Sequence, residues 1–84
     1  MLFVTIVEIP SKTSTEATRR LKRPKIPQGV KIKQNLALFG KPDVIIVFEA
    51  ENEEMAAEFV VQFRDLTHSA TLLAIPIEQV KWTR

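Results

Sequence analysis

Two segments of the chain are apolar at almost every position, which is typical of strands buried on both sides. Residues 2–9 read LFVTIVEI and residues 44–50 read VIIVFEA, and both segments are rich in β-branched side chains. Pro10 ends the first segment. We therefore predict two strands in the centre of one sheet.

Two further segments fit outer strands. Residues 30–39 are predicted to form a strand, one side of which carries five residues. These are Val30, Ile32, Gln34, Leu36 and Leu38. Gly40-Lys-Pro-Asp43 predicts a hairpin turn after this strand. A last strand over about residues 70–77 ends at Pro76, whose missing N–H places the strand at an edge.

Two segments have helical signals. Thr13 and Glu16 have the spacing of a capping box, so a first helix is expected to begin at Thr13 and to end before Pro24. A second helix over residues 53–66 is expected to be capped by Asn52. Its apolar face is formed by Met55, Ala56, Phe59, Val60 and Phe63.

The resulting order, β-α-β-β-α-β, predicts one α+β domain over residues 1–84 with a ferredoxin-like fold. Right-handed crossovers place the first and third strands in the centre of a four-stranded antiparallel sheet, with both helices on one face. The central strands nevertheless carry apolar residues on both faces, such as Val4 and Ile6 opposite Phe3 and Val7. An uncovered face would expose about 300 Å² of apolar surface. We therefore expect a homodimer or a larger homo-oligomer, packed sheet against sheet.

Charge is distributed unevenly along the chain. The net charge of +2 combines about +7 in residues 1–42 with about −5 in residues 43–84. A basic patch is predicted at Arg19, Arg20, Lys22, Arg23, Lys25, Lys31 and Lys33. This patch makes nucleic acid an alternative partner through phosphate contacts, although the stacked aromatic residues of RNA-binding sheets are missing.

Few residues suggest a chemical site. The absence of cysteine excludes disulfides and thiolate-held metals, and we expect no metal, no cofactor and no catalytic residue. Four polar residues could line a ligand pocket, namely Thr5, Gln34, Asn35 and His68. The apolar segment at the start of the chain, MLFVTIVEIP, is short, carries Glu8 and lacks a basic region, which is not typical of a signal peptide or a membrane span. We therefore expect a cytoplasmic protein with no membrane partner. Trp82 is expected either to hold the tail against a neighbouring subunit or to bind a ligand.

Residues 36–78 resemble the GYD-domain family of the dimeric α-β barrel superfamily. The similarity is carried by LALFGKPDVIIVFEA, ENEEMAAEFVVQF and SATLLAIPIE, in which Gly40 and Asp43 match the turn that gives the family its name. Pro42 stands where that family has tyrosine. The opening MLFVTIVEIP is also similar to a second family of such barrels.

The resemblance implies a fold and a dimer but no activity. Related barrels include cofactor-free monooxygenases and heme-degrading enzymes, so a monooxygenase-like enzyme is a second alternative. Amino-acid-sensing domains of similar architecture suggest instead that a dimer cavity or groove receives a small effector. A ligand-binding, regulatory or assembly module is the function that we expect from the sequence.

Overall fold

Strands and helices follow one another in the predicted order. The computed structural model describes residues 1–81, and the prediction for Trp82 lies outside these residues. The elements are β1 (Leu2–Glu8), α1 (Ser14–Lys22), β2 (Val30–Ala37), β3 (Val44–Ala50), α2 (Glu53–Val60) and β4 (His68–Ala74), with short 3-10 turns at Ser11–Thr13, Val61–Phe63 and Ile77–Gln79. None of the helices in this part of the chain is long and apolar enough to cross a membrane.

The four strands form one antiparallel sheet in the order β2-β3-β1-β4. The two continuously apolar strands, β1 and β3, are therefore central, and β2 and β4 form the edges. This arrangement confirms the predicted α+β ferredoxin-like fold. The edge position predicted for the fourth strand is confirmed as well, although that strand begins at His68 and ends before Pro76.

The hydrophobic core lies between one face of the sheet and the two helices. Phe48 on β3 stacks on Phe3 of β1 with ring centroids 5.5 Å apart, and it meets Phe59 of α2 edge-on at 4.8 Å. Phe59 in turn meets Phe63 edge-on at 5.7 Å. This row of rings joins both central strands to α2 and to the 3-10 turn Val61–Phe63 that follows α2.

A β-bulge in β2 contradicts one prediction. Ile32 lies opposite Phe48 and Gln34 lies opposite Val47, so Lys33 is an extra residue in the ladder. The five residues predicted to share one side are therefore divided between the two faces. Val30 and Ile32 pack against the core, whereas the residues after the bulge change faces.

The two helix starts differ in how they are capped. Asn52 accepts a hydrogen bond from the Met55 N–H at 2.8 Å, which confirms the predicted cap of α2. The predicted capping box of α1 is wrong. The Thr13 hydroxyl instead donates to the Leu66 carbonyl at 2.7 Å, and the Glu16 carboxylate binds Arg19.

Candidate functional site

The sheet has one face that no described element covers, which we call the open face. Two neighbouring rows of side chains cross it. They are Leu36, Ile45, Ile6 and Ala70 in one row and Gln34, Val47, Val4 and Leu72 in the other. Gln34 is the one polar residue in these two rows. Leu36 and Leu72 on the edge strands are 44 % and 53 % exposed.

Charged residues border the apolar rows of the open face at both ends. At one end, the Lys33 ammonium lies 4.0 Å from the Glu49 carboxylate, and Lys31 is paired with Glu49 in the ladder. At the other end, Glu8 lies opposite His68. Lys31, Lys33, Glu49 and Glu8 give this border two positive and two negative charges. The open face therefore has an apolar centre with a polar, electrically balanced rim.

A cavity of about 410 Å³ lies on the helix side of the sheet, and we call it the α1 pocket. It is lined by Ile9, Thr18, Leu21, Lys22, Asn35, Ala37, Asp43 and Val44. Thr18, Leu21 and Lys22 lie three and four residues apart and so share one side of α1. The opposite wall comes from β2 and from the start of β3. The pocket thus lies where α1 stops covering the sheet.

Two polar residues of the α1 pocket are held by hydrogen bonds to the backbone. The Asn35 amide donates to the Leu21 carbonyl at 3.0 Å, which satisfies one of the carbonyls left free at the end of α1. The Asp43 carboxylate accepts a hydrogen bond from the Ile9 N–H at 2.7 Å. Both side chains therefore have fixed positions in the wall of the pocket.

The structure does not bring the four predicted ligand residues to one site. Asn35 lines the α1 pocket, whereas Thr5 is buried on the helix side and shares a hydrogen bond of 2.9 Å with Thr71. Gln34 is exposed on the open face, and His68 is exposed at the rim of that face. Only Asn35 therefore belongs to the cavity that a small ligand could enter.

Three polar lining residues of the α1 pocket were absent from the predicted set of ligand residues. Asp43 was interpreted only as a turn residue, Lys22 only as part of the basic patch, and Thr18 had no predicted role. The spacing of Thr18, Leu21 and Lys22 along one helix was a signal for a shared side. The approach of that side to Asp43 depends on tertiary packing, which no local pattern shows.

Two of the three arginines of the basic patch, Arg19 and Arg20, bind acidic groups of the same chain. Arg19 is bound to Glu16, and Arg20 lies 3.0 Å from Asp65 and also donates to the Gln62 carbonyl. The hydrogen bond from Arg19 lowers the pKa of the Glu16 carboxyl, and the Arg19 guanidinium has a raised pKa for the same reason. Part of the positive charge of α1 is therefore compensated within the molecule.

The basic patch is also divided between two sides of the molecule. Arg19 and Arg20 lie on α1 and Arg23 directly follows it, on the helix side of the sheet. Lys31 and Lys33 instead border the open face. Among the described residues, no group of three or more His, Asp or Glu side chains is arranged to hold a metal ion.

Comparison with known proteins gives one match. The model of a family described as "Domain of unknown function (DUF3303)" matches residues 1–82. No curated protein and no solved structure matches the chain.

Proposed function

The chain belongs to the DUF3303 family of domains of unknown function, and from its geometry we propose that it is an assembly module that works as a homodimer. Two copies pack open face against open face, in the manner of the dimeric α-β barrels that residues 36–78 resemble. The observation that carries this proposal is the pair of nearly continuous apolar rows on the open face. Burial of such rows is the main source of free energy for association.

The size of the open face supports a second copy as its occupant. Four strands spaced by about 4.8 Å and four rows spaced by about 6.8 Å, namely the two apolar rows and the border row at each end, give about 500 Å² of flat area. Two copies would bury about 1,000 Å² together, which is the lower limit for a specific interface. The open face together with its charged border thus reaches the size that a specific dimer needs.

The charges around the open face also favour a second copy. A rim with no net charge does not repel an identical rim, and it gives no attraction for a polyanion such as nucleic acid. An apolar centre surrounded by charged residues is the usual anatomy of a protein–protein interface. The rim residues Lys33, Glu49 and Glu8 can remain in water at the border of the dimer.

Adjacent leucines on β4 provide a matched test. Leu72 lies opposite Val4 on the open face, and Leu73 lies opposite Phe3 on the helix side. Their exposed fractions are similar, at 53 % and 58 %. A Leu72→Lys substitution places a charge in the proposed interface, whereas Leu73→Lys places the same charge outside it.

Light scattering after size-exclusion chromatography measures the molar mass, and so the oligomeric state, of each protein. We expect the native protein and Leu73→Lys to have about twice the chain mass of 9.6 kDa. Leu72→Lys is expected to run as a folded monomer, with an unchanged far-ultraviolet circular dichroism spectrum. A native protein that stays monomeric at about 100 μM, or a Leu72→Lys variant that remains dimeric, would contradict the proposal.

A further inference from the structure

The α1 pocket has the size and lining of a site for a small molecule. Its volume of about 410 Å³ falls within the range of ligand-binding cavities. Leu21 and Val44 are buried, and with Ile9 and Ala37 they give the pocket an apolar wall. A ligand would therefore place an apolar group against α1 and the start of β3.

The short side chains around the pocket explain why it is open. Thr18 on α1 and Ala37 on β2 reach only a short distance from the backbone, and both line the cavity. Larger residues at these positions would fill the space between the helix and the sheet. The cavity therefore follows from the sequence of the two elements that form its walls.

The polar groups of the pocket carry opposite charges. Lys22 on α1 and Asp43, the residue before β3, both line the cavity, so one residue with an ammonium group and one with a carboxylate border it. No ion pair joins these two groups among residues 1–81. The Ile9 N–H binds one oxygen of Asp43, which leaves the other oxygen for a ligand. The Thr18 hydroxyl and the Asn35 amide add neutral hydrogen-bonding groups.

We propose that the α1 pocket binds a small zwitterion with an apolar body, of the class of free apolar α-amino acids. The ligand carboxylate binds Lys22 and the Thr18 hydroxyl, and the ligand ammonium binds Asp43 and the Asn35 oxygen. The apolar side chain packs against Leu21 and the neighbouring wall. A simple anion would be repelled by Asp43, and a simple cation would be repelled by Lys22.

Calorimetric titration with three related probes tests the ligand class. L-Leucine carries both charges, 4-methylpentanoate lacks the ammonium, and isopentylamine lacks the carboxylate. We expect leucine to bind at least about tenfold more tightly than either analogue, because each analogue leaves one charged group of the pocket without its partner. Equal affinity for the three probes, or no saturable binding of leucine up to about 10 mM, would overturn the proposal.

Three variants locate the binding. Lys22→Met and Asp43→Asn are each expected to weaken leucine binding at least about tenfold, and asparagine retains an oxygen for the Ile9 N–H. Lys25→Met is the matched control, since Lys25 lies outside the pocket lining and its backbone N–H, rather than its side chain, binds Gln62. Unchanged affinity in Lys22→Met, or an equal loss in Lys25→Met, would place the ligand elsewhere.

A fourth variant tests the cavity without changing charge. Ala37→Phe fills the pocket from an exposed edge-strand position, so it should abolish leucine binding while leaving the fold intact. Retained binding in folded Ala37→Phe would contradict the site. The pocket is on the opposite side of the sheet from Leu72, so Leu72→Lys should bind leucine as the native protein does. This last titration separates a failure of the pocket from a failure of the dimer.

Discussion

Phe48 and Phe39 show how position determines the contribution of one side chain to stability. The Phe48 ring is fully buried and contacts the rings of Phe3 and Phe59. The Phe39 ring, in the loop between β2 and β3, is fully exposed at 111 % of its reference area. Only the first of these rings is transferred from water to the core when the monomer folds.

Substitution of these two residues tests this difference. Phe48→Ala is expected to lower the free energy of unfolding by about 3–5 kcal/mol, because it removes a buried ring and leaves a cavity. Phe39→Ala is the matched control, and its change should stay within about 0.5 kcal/mol. Urea denaturation followed by circular dichroism at one protein concentration measures both values. Similar losses in the two variants would contradict the arrangement of the core.

Individual residues also show where local sequence patterns fail. The spacing of Thr13 and Glu16 predicted a capping box, but the Thr13 hydroxyl binds the carbonyl of Leu66, which is 53 residues away. Asn52 was predicted correctly because its partner, Met55, is three residues away. Hydrogen bonds between neighbours in sequence are readable from a pattern, whereas those between distant segments require the fold.

Among the elements, β2 differs most from its prediction. Its alternation of apolar and polar residues is interrupted at Lys33-Gln34-Asn35, where three polar residues follow one another, but the prediction continued the alternation through them and placed Gln34 on the apolar side. The bulge at Lys33 nevertheless reverses the faces and directs Asn35 toward the end of α1. The central strands were predictable because they are apolar on both faces, and a shift in register would leave their pattern unchanged.

Deletion of single residues tests the bulge. Ile32 and Gln34 already face opposite sides of the sheet, and without Lys33 they become direct neighbours in a regular strand. We therefore expect the deletion variant to keep the fold, with a melting temperature within about 5 °C of the native value.

Deletion of Lys31 is the control for this experiment. Lys31 occupies a regular position opposite Glu49, and its loss must move either Val30 or Ile32 from the core side to the open face. We expect a loss of about 1–2 kcal/mol from this transfer. Thermal unfolding measures both variants, and greater damage from the Lys33 deletion would show that the strand has no bulge.

The same shift of faces explains why the α1 pocket was only partly predictable. Asn35 was selected for its polarity, but its position beside Lys22 and Asp43 depends on the bulge and on where α1 ends. The predicted candidates Thr5 and Gln34 lie on opposite faces of the sheet. Residue type identified Asn35 in one wall of the pocket, whereas the approach of α1 as the opposite wall follows from tertiary packing.

For the whole molecule, size makes assembly important. A chain of 84 residues is close to the size, about 70–80 residues, below which a single core supplies only about 3–5 kcal/mol of net stability. The two helices cover one face of the sheet, and the open face leaves Val4, Ile6 and Val47 without a covering element among residues 1–81. Burial of these residues in a dimer would contribute to folding as well as to association.

Thermal unfolding should therefore depend on protein concentration. At about 0.7 kcal/mol per residue, two chains of 84 residues unfold with an enthalpy of about 120 kcal/mol, so each tenfold rise in concentration should raise the Tm by about 4 °C. Calorimetry of the native protein and Leu73→Lys should show this rise. Leu72→Lys should unfold at a constant Tm, because a monomer has no association equilibrium. A native Tm that does not change over two decades of concentration would mean that the open face stays in water, and the apolar rows would then have to be stabilised within a single chain.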